Sequence, residues 1–307
     1  CIRDSEVSDR RNMAEKPVRG IAPVERLLER LLREWKPDAV VCTYMVYPYM
    51  LDSLASRTGR AVPYLTVVTD SFVINKSWLC SKSPLWAVTD PWTRAIMEEK
   101  GLPQDRLRVT GFPVNPVLGA LAKEHPLSWK EGEPFRVLYF AQRSARHARA
   151  ELAGMLDANP ALHVTCILGR RFRRIYPRIR DLRARYGRRL TVRGWTRRVP
   201  SYLAASHVVV GKAGGATVHE VLAAARPMLV NFLLPGQEEG NTRLLEKLGG
   251  GGHVPDVRAL ASALQEMMAD GGAQWRRMHE NLLRAGMTGG SGRIADLALK
   301  LAEEHTN

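Results

Sequence analysis

The chain has 307 residues, enough for two ordinary domains, and its 45% apolar and 25% charged residues are typical of a globular protein, not a disordered or fibrous one. Lys and Arg exceed Asp and Glu by 46 to 31, which gives a formal net charge of +15. Nearly all of this excess lies in residues 136–198, where 17 Arg stand against three acidic residues. No uninterrupted apolar run reaches the ~20 residues that a membrane-spanning helix needs.

The first part of the chain alternates between short apolar runs and amphipathic segments. Its pattern predicts helices at 24–32, 51–56 and 91–100, and strands at 39–42, 63–70, 85–88 and 107–110. The apolar runs are continuous, as in parallel strands that are covered on both faces. A polar stretch at 123–134 predicts the boundary between a first domain at 1–130 and a second domain at 131–307.

The same alternation resumes after this boundary. It predicts strands at 135–140, 162–168, 190–193, 207–210 and 227–232, and helices at 145–156, 173–186, 199–205, 216–225, 239–247, 257–269, 274–284 and 294–303. Gly249–Gly252 is interpreted as a flexible loop. The two series predict an α/β fold of two doubly wound, Rossmann-like domains that face a cleft, and the last helix is a candidate to pack back on the first domain.

The four cysteines do not have the spacing of a metal site, either among themselves or with histidines. Cys42 and Cys166 fall inside predicted strands, so we expect them to be buried free thiols, as fits a reducing compartment. The sequence therefore predicts no metal site.

A pair of glycines follows the strand predicted at 207–210. Gly214 and Gly215 would let the backbone approach a ligand closely, and the next helix would offer its free N–H groups and positive dipole end to a diphosphate. Thr217 adds a hydroxyl, and Glu220 could accept hydrogen bonds from a ribose. The alternative is an ordinary strand-to-helix turn with Thr217 as the helix cap.

Polar side chains crowd the segment after the next strand. Gln237, Glu238 and Asn241 follow the strand predicted at 227–232, where the carboxyl end of a parallel strand opens onto a binding crevice. Their amide and carboxylate groups match the hydroxyl groups of a sugar. The alternative is a solvated helix start in which Glu238 and Glu239 favour the helix dipole.

The run from Lys212 to Asn241, K-A-G-G-A-T-V-H-E-V-L-A-A-A-R-P-M-L-V-N-F-L-L-P-G-Q-E-E-G-N, closely resembles the donor-sugar site of glycosyltransferase family 28. This family includes the diacylglycerol glycosyltransferases, such as monogalactosyldiacylglycerol synthase, and the N-acetylglucosaminyltransferase that makes lipid II. Further similarities, mostly to the diacylglycerol type, lie at 36–38, 66–70 with Trp78, 109–114 and 193–196.

The resemblance implies two Rossmann-like domains, the GT-B type, with a UDP-sugar held by the second domain and no separate cofactor. It implies that Gly214, Gly215 and Thr217 bind the diphosphate of this co-substrate. Glu220 would bind the ribose.

The resemblance also assigns roles around the sugar and the base. Gln237 and Glu238 would bind the hexose, Asn241 belongs to the same donor-binding set, and Trp195 would lie near the uracil. The implied reaction inverts the anomeric centre: a base deprotonates the acceptor hydroxyl, which attacks C1 of the sugar as UDP leaves.

The catalytic side matches the family less completely. Family members open with a strand and a glycine-rich loop that ends in His, and because this chain begins at Cys1 we expect that part to lie upstream. Asn75 stands where the family has another His and cannot take a proton at neutral pH, which leaves Asp70 as the candidate catalytic residue. In place of the second domain's glycine-rich loop, Arg143 or Arg146 would bind the phosphates directly.

The sequence thus predicts a transferase that moves a hexose from a UDP-sugar to a lipid acceptor, diacylglycerol, and that is cytoplasmic and peripheral on the inner face of the cell membrane. The alternative is a homologue that binds a UDP-sugar with little or no catalysis. Tyr44–Leu51, rich in aromatics and Met, would either line an entry for acyl chains or form a buried strand-to-helix turn.

Ten of the arginines lie in Gly169–Arg189, where one helix is predicted at 173–186. Its Ile175, Ile179 and Leu182 form a narrow apolar stripe that should pack on the sheet. The outward Arg face is interpreted as a contact with an anionic membrane surface, a contact with nucleic acid, or a solvated face. Nucleic acid is the least favoured partner because no aromatic stacking platform accompanies the arginines.

Overall fold

The computed structural model describes residues 21–124 and 127–306. Cys1, on which the expectation of an upstream segment depends, lies outside these ranges. The chain forms two compact units: the first comprises Cys1–Pro113, Pro235–Gly240 and Gly289–Asn307, and the second comprises Val114–Leu234 and Asn241–Thr288. The domain division near residue 130 stays a prediction.

The strands and α-helices of the described residues alternate for most of the chain. The strands are β1 (Val40–Cys42), β2 (Tyr64–Val67), β3 (Leu85–Val88), β4 (Leu107–Val109), β5 (Phe135–Phe140), β6 (Leu162–Ile167), β7 (Leu190–Arg193), β8 (Val208–Lys212), β9 (Met228–Phe232) and β10 (Gly251–His253). The helices are α1 (Ala22–Trp35), α2 (Val46–Thr58), α3 (Pro91–Glu99), α4 (Val117–Glu124), α5 (Ala145–Ala158), α6 (Phe172–Ile175), α7 (Arg180–Tyr186), α8 (Val199–Ala205), α9 (Gly215–Ala223), α10 (Gln237–Lys247), α11 (Val257–Met268), α12 (Ala273–Ala285) and α13 (Gly290–Thr306).

The first unit contains a parallel sheet in the order β1-β2-β3-β4. Successive residues of a strand point to opposite faces, so Trp86 packs in one apolar cluster with Met97 of α3, whereas Ala87 packs in another with Ile294 of α13. Both faces of the sheet are therefore covered, which explains the continuous apolar runs.

The second unit contains a parallel sheet in the order β10-β9-β8-β5-β6-β7. Counted from β5, this is the doubly wound order 6-5-4-1-2-3 of a Rossmann-like domain. From β5 the chain continues toward β6 at one edge of the sheet, and from β8 it continues toward β9 at the other edge. A crevice therefore forms at the carboxyl ends of these two neighbouring strands. The predicted α/β fold class of two Rossmann-like domains is confirmed.

The Arg-rich segment is not the single helix that the sequence predicts. It forms α6, a 3-10 turn at Tyr176–Arg178, and α7. Pro177 causes the break because it has no N–H to donate to the preceding turn. The apolar stripe is confirmed, since Ile175, Ile179 and Leu182 are all at most 2% exposed and belong to the core of the second unit.

The sequence patterns do not predict α4 or β10. The interpretation of Gly249–Gly252 as a flexible loop is wrong in its second half, because β10 pairs with Met228–Val230 of β9. Three residues without a large apolar side chain give no strand pattern, so only the tertiary pairing defines this edge strand. Its backbone requires glycine: Gly251 has a φ of 144°, and a Cβ atom there would lie 1.8 Å from the carbonyl oxygen of Met228.

We expect Gly251→Ala to lower the free energy of unfolding by about 3 kcal/mol or more, because it adds a backbone clash to a strained φ. Gly132→Ala is the matched control, since Gly132 also has a positive φ (90°) but nothing lies within 4 Å of its Cβ position. The control should cost about 1–2 kcal/mol. Urea unfolding measures both, and equal losses would contradict the assigned pairing of β10.

Candidate functional site

The glycine pair lies at the carboxyl end of β8, on the crevice of the second sheet. α9 begins at Gly215 with Gly214 as its N-cap, and no side chain caps it. The interpretation of Thr217 as the cap is therefore wrong, because Thr217 already lies in the first turn. Since the first N–H groups of a helix have no partner within the helix, this turn presents donors and the positive dipole end to the crevice.

Asn241 supports the turn from inside the second unit. Its side chain is fully buried, and its Nδ2 donates to the carbonyl oxygen of Ala213 at 2.9 Å. This bond fixes the backbone immediately before Gly214. The Oδ1 of Asn241 has no hydrogen-bond donor within the part of the chain that the structure describes. Asn241 thus lies against the turn but offers no exposed surface of its own.

Glu220 and His219 follow the turn on α9. Glu220 is half-buried, and burial raises the pKa of its carboxyl. His219 is 2% exposed, and burial lowers the pKa of its imidazole to about 3, so the ring is neutral at physiological pH. Only Glu220 of this pair keeps a surface that a ligand can reach.

Trp195 follows β7 in the second unit and is 59% exposed. Its ring lies 5.5 Å from the guanidinium carbon of Arg197. Few large apolar side chains of the described residues are so exposed, and an exposed indole held by a cation is a surface on which a planar base can stack.

Asp70 follows β2 in the first unit and is 2% exposed. The indole Nε1 of Trp78 donates to its Oδ2 at 2.8 Å, and the side-chain amide of Gln237 donates to its Oδ1. Burial raises the pKa of this carboxyl despite these two bonds. Asp70 therefore holds Gln237 in place, and its Oδ1 is already occupied by this hydrogen bond.

The start of α10 reaches Asp70 because Gly240 has no side chain. A Cβ atom at Gly240 would lie 1.9 Å from the carbonyl oxygen of Ser71. Glu238 is 7% exposed, so the interpretation of this segment as a solvated helix start does not hold for it. Gln237, in contrast, is exposed.

A polar cluster that the sequence patterns do not single out lies beside the turn in the second unit. Glu151 of α5 is 2% exposed and accepts hydrogen bonds from Tyr139, Asn231 and Arg143. A signal does exist in the sequence, because Glu151 is one of only three acidic residues in the basic stretch 136–198 and shares the buried face of its helix with Leu152 and Met155.

The described residues bring no three His, Cys, Asp or Glu side chains together as a metal site would require. Cys42 and Cys166 are buried free thiols, as predicted, and burial raises the pKa of Cys42 to about 12. A helix with the length and apolarity to cross a membrane is also absent from the described ranges.

Residues 13–114 match the model of the monogalactosyldiacylglycerol (MGDG) synthase family. The chain is 25% identical over 252 residues to a processive diacylglycerol beta-glucosyltransferase of Staphylococcus carnosus (80% of this chain, 63% of the relative). It is 24% identical over 285 residues to the Bacillus subtilis protein of the same name (91% and 73%). The chain thus spans between three fifths and three quarters of these relatives.

Solved structures show the same fold at low identity. Acinetobacter baumannii MurG superimposes with a TM-score of 0.63 at 15% identity, over 88% of this chain and 76% of MurG. The UDP-GlcNAc 2-epimerase of Neisseria meningitidis, solved with UDP-GlcNAc bound, gives a TM-score of 0.66 at 14% identity, over 90% and 80%.

The two Rossmann-like units and these structural neighbours define a protein of the GT-B fold class. Within that class, the family-model match and the curated relatives confirm the resemblance that the motifs carry. The chain is thus similar to the diacylglycerol glycosyltransferases of glycosyltransferase family 28.

We expect His219 to make the folded protein acid-sensitive. An unfolded His binds a proton below a pH of about 6.5, whereas the pKa of buried His219 is about 3, so stability is lost as the pH falls between these values. Between pH 7.5 and pH 5 the wild type should lose about 2 kcal/mol more than His219→Gln. Urea unfolding at both pH values measures this, with exposed His253→Gln as the control; a loss in His219→Gln equal to that of the wild type would contradict the neutral, buried imidazole.

Proposed function

We propose that this protein transfers a hexose from a UDP-sugar to diacylglycerol with inversion at the anomeric carbon. The observation that carries the proposal is the uncapped start of α9 at Gly214 and Gly215, at the carboxyl end of β8. A diphosphate fits this turn because free N–H groups and the helix dipole both favour negative charge. The names of the curated relatives support diacylglycerol as the acceptor.

Most of the proposed donor contacts lie at the start of α9 and in its first turns. Gly214, Gly215 and Thr217 would bind the diphosphate, and Glu220 would accept hydrogen bonds from the ribose. Asn241 would act indirectly, by fixing the carbonyl of the residue before the turn.

The remaining donor contacts concern the base and the hexose. Trp195 would stack on the uracil through its exposed ring. Gln237 and Glu238 would bind the hexose hydroxyls, with Gln237 oriented by its bond to Asp70.

The chemistry requires a base, a nucleophile and a stabilised leaving group. The acceptor hydroxyl loses its proton to the base, its oxygen bonds to C1 of the hexose, and the bond from C1 to the UDP oxygen breaks. The α9 dipole and the first N–H groups would stabilise the charge that develops on the departing UDP. Asp70 remains the candidate base among the described residues, and no separate cofactor takes part in this scheme.

The alternative function, binding of a UDP-sugar with little turnover, is favoured by the geometry at Asn75. Its side chain accepts a hydrogen bond from the N–H of Ser77 at 2.9 Å and caps a 3-10 turn. An amide so engaged can orient a substrate, but it cannot take the proton of an acceptor hydroxyl.

An exposed apolar surface supports a lipid acceptor and a peripheral place on the inner membrane face. Tyr44 and Tyr47, at the carboxyl end of β1, are 54% and 41% exposed, so the segment 44–51 is not a fully buried turn. The Arg-rich segment would contact anionic lipid, although Arg149 and Arg185 are engaged in ion pairs with Asp181 and Asp157.

Gly214→Ala should weaken UDP binding about tenfold or more without unfolding the protein, because a methyl group would cover the donors of the first helical turn. Gly214 has a φ of −68°, which alanine accepts, and its Cβ position is 3.7 Å from the nearest atom, Cε of Lys212. Calorimetric titration with UDP and a thermal melt measure the two effects. Glu266→Ala, an exposed change on α11, is the control, and unchanged UDP affinity in Gly214→Ala would contradict the diphosphate assignment.

Incubation with labelled UDP-glucose or UDP-galactose and diacylglycerol vesicles, followed by lipid extraction, tests the transfer itself. We expect a labelled glycolipid with one of the two donors. UDP binding without any labelled lipid would favour the alternative function. No UDP binding at all would contradict both.

A further inference from the structure

A cavity of about 370 Å³ opens within the second unit, beside the glycine turn. Its walls come from the loop after β5 and from the segment after β6, with Phe232 from the end of β9. The polar lining residues are Gln142, Arg143, Ser144, His147, Arg171 and Arg174. A volume of this size is in the range that proteins use for small ligands.

Glu151 fixes one of these arginines. Its Oε1 lies 3.3 Å from Nη1 of Arg143, while its Oε2 accepts hydrogen bonds from the hydroxyl of Tyr139 and, at 2.9 Å, from Nδ2 of Asn231. The Glu151 side chain is 3% exposed and that of Arg143 is 27% exposed. The buried carboxylate thus holds one side of the guanidinium, and the rest of it faces the cavity.

Two further contacts restrict Arg143 and its loop. The guanidinium carbon of Arg143 lies 5.4 Å from the ring centroid of Phe232, a cation–π contact. Arg171 donates to the carbonyl oxygen of Gln142 and so fastens the loop that carries Arg143. Arg143 is therefore prearranged, and a ligand would not have to order it.

The charge of the cavity indicates an anion with several oxygens. Arg143, Arg171 and Arg174 bring three positive charges, and Glu151 is the one carboxylate among the described residues that contacts them there. Arginine is suited to phosphate because its planar N–H groups bind two oxygens at once. The Oε1 of Gln142 is buried without a donor in the described residues, so the ligand should also carry an N–H or O–H group.

We infer that this cavity binds the phosphate groups of a nucleoside diphosphate and that Glu151 is the positioning residue that makes Arg143 a phosphate ligand. The inference rests on the proposed function and deepens it, because Glu151, Arg171 and Arg174 extend the donor site beyond the glycine turn. Of the two arginines considered from the sequence, Arg143 lines the cavity, whereas Arg146 is exposed and does not. Phe232 connects the cavity to the turn, because it lines the cavity and its carbonyl oxygen accepts the N–H of Ala213 at 3.4 Å.

The test compares UDP with uridine, which has the same base and ribose but no phosphate. We expect Arg143→Gln and Glu151→Gln each to weaken UDP binding by at least tenfold while the affinity for uridine stays the same. Glu151→Gln keeps the size of the side chain and an oxygen for Tyr139 and Asn231, but removes the charge that holds the guanidinium. Arg146→Gln removes an equal charge three residues further along the chain, outside the cavity, and should change neither affinity.

Calorimetric titration gives the affinities of the wild type and the three variants for both probes, eight values in all, and a thermal melt of each variant confirms folding. A purely structural role of Glu151 would change the binding of UDP and uridine together, so an unchanged ratio in Glu151→Gln overturns the positioning role. If Glu151→Gln does not fold, Arg143→Gln, which changes the more exposed partner of the pair, tests the phosphate assignment by the same comparison of UDP with uridine. Tight UDP binding by Arg143→Gln would refute the inference and leave the proposed function standing, whereas a wild type that binds neither probe would refute the proposed function itself.

Discussion

The reversal of strand order between β5 and β8 is the constraint on which the rest of the second unit depends. Because the chain leaves these neighbouring strands toward opposite sides, no connection covers their carboxyl ends. The loop that carries Arg143 and the turn at Gly214 therefore border the same crevice, although 70 residues separate them in the chain. Asn241 and Glu151 each fix one of these two segments from inside the unit.

Buried polar groups do this fixing in both units. Asp70 and Glu151 are each 2% exposed. Each accepts a hydrogen bond from a more exposed side chain, Gln237 in the first unit and Arg143 in the second. A buried carboxylate is costly unless such bonds satisfy it, so it specifies one arrangement of its partners strongly. The side chains that we propose as ligand contacts are thereby held before a ligand arrives, which would lower the entropic cost of binding.

The fold by itself does not decide the chemistry. MurG of Acinetobacter baumannii and a UDP-GlcNAc 2-epimerase superimpose on this chain about equally well, with TM-scores of 0.63 and 0.66. A transferase is distinguished by how it places the acceptor and the catalytic base relative to the sugar. The sequence departs from the family pattern in these catalytic residues, since Asn75 stands where the family has a His. The exposed Tyr44 and Tyr47 favour an apolar acceptor, and the uncapped α9 favours a diphosphate donor.

The sequence by itself determined the α/β class, most of the strands and the glycine turn, because continuous apolar runs and paired glycines are local signals that survive in any context. It also determined the net charge of +15, but not how the arginines are arranged in space. The structure shows that the predicted Arg-rich helix is broken at Pro177 and that ion pairs engage some of the arginines. Only the tertiary structure decided that Gly251 pairs as an edge strand, that Asn241 supports the turn, and that Glu151 holds Arg143. The first two depend on contacts between residues more than 20 positions apart, and the third joins a loop to a helix eight positions further on. Such contacts do not produce a periodic pattern in the sequence.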